Sequence, residues 1–159
     1  MIEVGNALIF FRKRENKTFE IILNSKNLDD LNRLQKYSLI IQREIDKYVE
    51  EFEKKKEVHG DLVFYYFKPK YPVTSPVSTI ISLKDKGKTF IFIVEQAVIK
   101  ISARNQSGKV NLPQLLNKSM ENIPHSSGGG HFSAAGAQIP KEYLKKFKEN
   151  LIKEYNKLK

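Results

Sequence analysis

The 159-residue chain contains no cysteine, which excludes disulfide frameworks, thiolate metal sites and cysteine nucleophiles together and suits a reducing cytoplasm. It is short of acidic residues: 18 Asp and Glu stand against 28 Lys and Arg, a net charge of +10. That imbalance suits a phosphate backbone or another polyanion as partner. It equally suits the solvated, charge-rich faces of a thermophile's proteins, so charge alone names no ligand. Long apolar runs are also missing. The first, Val4–Phe11, is short and is interrupted by Gly5 and Asn6. No secretory leader, membrane span or membrane contact is therefore expected, and the expected location is cytoplasmic.

Familiar catalytic and nucleotide patterns are absent too. Neither the Walker phosphate loop nor the dinucleotide fingerprint occurs. Hydrolysis of a phosphodiester by two metal ions needs clustered carboxylates and imidazoles. Asp29, Asp30, Asp46, Asp61 and Asp85 do not stand beside a histidine in ligand-like spacing, and none lies in the C-terminal third. The expectation is a chain with no catalytic residues, no metal ligands and no cofactor.

What is present is enough apolar residue, 40%, for a real core. Val4–Phe11 and Thr18–Leu23 are β-rich runs around the polar Arg12–Lys17 and predict a hairpin. After Asp29 and Asp30, the residues Leu34, Tyr37, Ile41, Ile45, Tyr48 and Phe52 recur at intervals of three and four, which predicts one long helix ending in the charged Glu53–Glu57. Strands are predicted at Leu62–Phe67, Thr89–Val94 and Ala97–Ala103. Short helices are predicted at Val77–Leu83, behind Ser75-Pro76, and from Leu112-Pro113 toward Met120. Pro140 opens a last helix, in which Leu144, Phe147, Leu151, Tyr155 and Leu158 keep helical spacing. The expected class is α+β: a small mixed sheet with flanking helices in residues 58–159, preceded by a β-hairpin region in 1–30 and a connector helix in 31–57.

The most unusual stretch is SSGGGHFSAAGAQIP, residues 126–140. Glycine lacks Cβ, so Gly128, Gly129 and Gly130 can take positive φ and bring backbone N–H groups against an anion. Such a loop is a cradle; three glycines in isolation equally make a flexible linker. His131 and the small Ala134, Ala135 and Gly136 favour a tight turn that presents one polar side chain. Upstream, Arg104 ends a strand leading toward this loop, and its guanidinium offers a bidentate match to phosphate. Arg104 as a plain surface arginine, and His131 bonded to a backbone carbonyl, are the alternatives. His59 and His125 are expected to be structural or solvent-exposed.

GGGHFSAAG resembles the signature of the C-terminal, substrate-binding (DHHA1-type) domain of the Asp-His-His phosphoesterase superfamily, which includes the RecJ exonucleases and oligonucleotide-degrading phosphodiesterases. ISARN resembles that family's Ser-x-Arg-Ser segment, with Asn105 in place of the second serine. The likeness covers about residues 58–140 and implies a DHHA1-like fold in which Ser102, Arg104, Gly128, Gly129, Gly130 and His131 contact a nucleotide, phosphate or strand end. The superfamily's Asp-His-His and partner aspartate motifs are missing. This combination is similar to the truncated RecJ homologues of some archaea, the counterpart of the cell-division-cycle subunit of the replicative helicase. It implies a non-catalytic, nucleoid-associated DNA replication factor that binds the GINS complex, supports the MCM helicase and contacts single-stranded DNA. Two other readings stay open: the substrate-binding half of a split phosphodiesterase, and a nucleotide sensor. Tyr65, Tyr66, Phe67 and Tyr71 are candidates for stacking on bases, with Tyr65 and Phe67 expected in the core by strand parity and Tyr66 exposed. The apolar face of the N-terminal region and connector is the expected partner surface.

Overall fold

The N-terminal apolar runs form helices. In the computed structural model, which describes residues 4–12, 16–27 and 29–158, Val4–Phe10 is α1 and Asn16–Leu23 is α2. The expected β-hairpin is thus corrected; residues 13–15 of its connection lie outside the described residues. The β-rich composition hid a helical period: Val4, Ala7 and Phe11, then Thr18, Ile21, Ile22 and Ser25, recur at intervals of three and four. Ala7, Phe11 and Thr18 are the buried ones. Where a repeat of this kind meets an apolar partner, packing overrides strand propensity. A 3₁₀ turn, Asp29–Leu31, then leads into the long α3, Asn32–Lys55.

The chain divides into two compact units, Met1–Glu50 with Pro69–Val73, and Glu51–Lys68 with Thr74–Lys159. In the first, Ala7, Phe11 and Leu34 form the buried centre, with Val4, Phe10, Ile21, Ile22, Leu31 and Tyr37 packed around it. Phe10 and Phe11 both pack on the Tyr37 ring, at 4.8 and 4.5 Å between centroids. Asn6 donates to Gln42 Oε1 at 3.0 Å, and the Glu44 carboxylate accepts from the Tyr71 amide at 3.1 Å.

The second unit holds a six-stranded sheet in the order β1-β2-β3-β4-β6-β5: β1 Glu57–His59, β2 Leu62–Phe67, β3 Thr89–Glu95, β4 Ile99–Asn105, β5 Ser127–His131 and β6 Ala134–Ile139. Only the β2–β3 pair is parallel, joined through α4, Thr74–Lys84; every other neighbouring pair is antiparallel. Two further helices, α5 Leu112–Ser119 and α6 Leu144–Asn156, follow β4 and β6. Helix α5 starts at Leu112-Pro113 as expected, with proline in the first turn; the structure adds Asn111 as its N-cap, accepting from the Gln114 amide at 3.2 Å. The last helix begins with a 3₁₀ turn, Lys141–Tyr143, capped by Pro140.

Strand alternation gives the sheet two unlike faces. One carries Leu62, Phe64, Ile91, Ile93, Ile99, Ile101, Ala103, Ala135, Ala137 and Ile139, which pack in one cluster with Leu112, Leu115 and Leu116 of α5 and Phe147, Leu151 and Tyr155 of α6. The other carries the buried Val63, Tyr65 and Phe67 of β2 and Phe90, Phe92 and Val94 of β3. There Phe52 meets Tyr65 and Phe90 at 5.3 and 6.0 Å, and α4 buries Val77, Ser78, Ile81 and Ser82. Among the described residues, no helix is long and apolar enough to cross a membrane.

Candidate nucleic-acid interface

Phe52 covers this face over β2 and β3, and α4 packs over β3 and part of β4; from the uncovered part of β4 across β6 and β5 the face is open. Register sets what lies there. Lys100, Gln138 and Ser127 form one rung across the three strands; Ser102, Gly136 and Gly129 form the next; Arg104, Ala134 and His131 form the last. These nine residues share a face, and none is buried. The structure therefore brings Ser102, Arg104, Gly129 and His131 onto one surface. Its middle is bare backbone, and its ends carry Lys100 on one side and the Arg104–His131 rung on the other. An open depression of ≈ 480 Å³ lies beside the first two rungs, lined in part by Lys100, Ser127, Gly136 and Gln138. No carboxylate occurs in the three rungs, so the face suits an anion and does not fit a magnesium or manganese site. Among the described residues, no group of three or more His, Asp or Glu is placed to hold a metal.

The glycines correct one expectation. Gly128–Gly130 form the edge strand β5, paired with β6, where a loop was expected. Only Gly130 of the three has positive φ, 140°. Alternation then separates their roles. Gly128 and Gly130 belong to the face packed on α5: a Cβ at Gly128 would lie 2.7 Å from Met120 Cε, and one at Gly130 would lie 2.6 Å from the Ala134 carbonyl oxygen and 2.7 Å from Ala135 Cα. The fold itself requires Gly130, and α5 crowds Gly128. Gly129 belongs to the open face, and a Cβ there would meet nothing within 4 Å. Its bareness answers no demand from within the chain; it leaves the surface free for close approach from outside.

Arg104 is half-buried, and burial depresses the pKa of its guanidinium without neutralising it. Nη1 donates to the Ala103 carbonyl at 3.0 Å, and among the described residues the side chain has no acidic partner. A partly desolvated cation compensated by one carbonyl alone favours an incoming anion. His131 is exposed at the end of β5. His125 is exposed, and His59 pairs with Glu57 at 2.7 Å; both lie off the open face.

Two residues escape the sequence reading. Asn105 is buried at the end of β4. Its Nδ2 donates to Thr89 Oγ1 at 2.8 Å, and its Oδ1 accepts from Ser107 Oγ at 2.7 Å and from the Lys109 amide at 3.4 Å. Its amide donates to the Ser133 carbonyl at 3.0 Å. Thr89 in turn bonds Tyr155 Oη at 3.2 Å. The main chain at Asn105 thus ties the strand carrying Arg104 to the turn after His131, and its side chain holds the end of that strand to β3 and to the segment that follows β4. Phe132, in that turn, is the second. The stacking candidates fare differently: Tyr65 and Phe67 are buried and stack on each other at 5.0 Å, Tyr71 packs on Phe10 at 5.3 Å in the first unit, and Tyr66, 37% exposed, lies on the opposite face of the sheet.

A family comparison matches residues 73–157, more than half of the chain, to the DHHA1 domain. An uncharacterised protein of Methanocaldococcus jannaschii is 34% identical over 83 residues, 46% of this chain and 16% of that protein. Among solved structures, RecJ of Thermus thermophilus with Mg²⁺ superposes with a TM-score of 0.73 at 14% identity, over 98% of this chain and 24% of RecJ. CDC45 of Entamoeba histolytica gives 0.61 at 12% identity, over 96% of this chain and 36% of CDC45. The chain thus spans a small part of each of these proteins.

Proposed function

The chain belongs to the DHHA1 domain family, and on that premise we propose that it is a non-catalytic nucleic-acid-binding subunit that holds single-stranded DNA on the open face of β4, β6 and β5. The observation that carries this reading is the ladder itself: a half-buried arginine without an acidic partner and an imidazole flank a glycine floor that the fold does not require. Phosphate oxygens take the bidentate donors of Arg104, the strand backbone passes close over Gly129 and Gly136, and His131 and Lys100 add donors at the two ends. The net charge of +10 steers a polyanion toward the molecule at low ionic strength.

In the cell, this subunit serves DNA replication beside the GINS complex and the MCM helicase, in the place that CDC45 holds. The DHHA1 match and the fold shared with CDC45 support that assignment. Fluorescence anisotropy with a single-stranded oligonucleotide tests the binding, and affinity capture from nuclease-treated extract tests the partners. Arg104→Ala is expected to weaken DNA binding by about 10- to 100-fold while GINS is still recovered. Wild-type protein that binds no oligonucleotide contradicts the first part; capture without GINS and MCM contradicts the second. Recovery of an aspartate-rich phosphoesterase instead, with hydrolysis only in the mixture, makes the chain half of a split enzyme.

A further inference from the structure

We infer that Phe132 forms a base subsite, stacking one nucleobase of the bound strand beside the Arg104–His131 rung; this rests on the nucleic-acid reading of the open face. The placement comes from the register. His131 pairs with Ala134, so Phe132 and Ser133 are the whole connection between β5 and β6, immediately beyond the rung that carries Arg104. Two-residue hairpins favour Asn, Asp or Gly, whose backbones accept positive φ. Neither Phe132 nor Ser133 has positive φ; the only turn-shaping residue of that kind here is Gly130. The turn therefore owes nothing to a ring at position 132.

Nor does the core. Phe132 is 50% exposed and stands outside the buried cluster of the sheet. Among the described residues, it pairs with no other aromatic ring and no cation. Its backbone is nevertheless fixed: the Phe132 carbonyl accepts from the Leu112 amide at 3.0 Å, and the Ser133 carbonyl accepts from the Asn105 amide at 3.0 Å. The backbone that carries this exposed ring is thus held in place, one residue beyond the rung of Arg104 and His131. The exposed Lys109, whose amide also bonds Asn105, adds positive charge to the same corner. Every base offers a π-face, so an aromatic platform combined with phosphate-binding cations recognises single strands without regard to sequence. Elimination points the same way, because the other aromatic candidates in this unit are buried or lie on the opposite face.

The experiment compares two fluorescent single strands of equal length, oligo-dT and an abasic strand of the same backbone, by anisotropy in low salt. The wild type is expected to bind oligo-dT about 5- to 100-fold more tightly. Phe132→Ala should reduce oligo-dT affinity to the abasic level without changing abasic binding, and Phe132→Trp should keep the preference. An unchanged preference in a folded Phe132→Ala protein, or equal binding of both strands by the wild type, overturns the base subsite while Arg104-dependent binding leaves the open face standing. Failure of the wild type to bind either strand, or binding indifferent to Arg104→Ala, overturns the reading beneath it, and the subsite with it.

Discussion

One sheet face is built in two ways. Over β2 and β3 it carries Phe90, Phe92, Tyr65 and Phe67, buried beneath Phe52 and α4, and α4 reaches on over part of β4; beyond it, on the rest of β4 and on β6 and β5, the same face carries glycine, alanine, serine and a few cations, and stays open. Both halves are supported from behind by the same apolar cluster with α5 and α6. A sheet needs only one buried face to be stable, so the open half is free to be shaped by something other than folding. The contrast gives each residue of the face a test: stability should respond on the covered half, binding on the open half.

The largest expected effect lies on the covered half. Phe92→Ala, at a fully buried position, should cost about 3–5 kcal/mol in denaturant unfolding and leave the oligonucleotide affinity of the folded protein unchanged. Gly130→Ala probes the boundary: the strained φ and the contact with the Ala134 carbonyl should cost about 1–3 kcal/mol, measured the same way. Asn105→Ala keeps the main-chain bond to Ser133 but removes the buried side-chain bonds to Thr89, Ser107 and the Lys109 amide that hold the end of β4. It should cost a comparable ~1–3 kcal/mol and also weaken DNA binding, although Asn105 lies on the packed face. Away from both halves, the Glu57 carboxyl is lowered from its ordinary 4.5 chiefly by the hydrogen bond from Lys148 and then by that from His59. Its contribution is present above the unfolded pKa and is lost as pH falls through the lowered folded value. Glu57→Gln should therefore flatten the acid side of the stability–pH curve, by less than about 1 kcal/mol for so exposed a group.

How much of this was legible in the sequence depended on whether local chemistry or packing decided the element. Leu62–Phe67 stands as expected because a run of aromatic and β-branched residues has one good solution. The strand expected at Ala97–Ala103 forms two residues later, at Ile99–Asn105. Leu112-Pro113 announced the start of α5, because proline suits the first turn of a helix. The N-terminal helices were hidden because Ile21, Ile22 and Val4 favour strands in isolation, and only the cluster around Leu34 makes their three-and-four spacing count. β5 and β6 were missed for the opposite reason: Gly128–Gly130 and Ala134–Ala137 have poor strand propensity, and pairing with β4 supplies what composition lacks. Ser102, Arg104 and His131, singled out by motif, share a face. That Gly129 differs in role from Gly128 and Gly130 follows from the register alone, and so does the placement of Phe132.

The most direct test is Gly129→Val, with thermal unfolding and single-stranded oligonucleotide binding measured on the same preparation. Valine suits a strand, and its Cβ meets nothing, so Tm should stay equal or rise while affinity falls by about tenfold or more, consistent with a ~1.4 kcal/mol loss. A folded Gly129→Val protein that binds DNA as well as the wild type would contradict the claim that this bare floor is a binding surface.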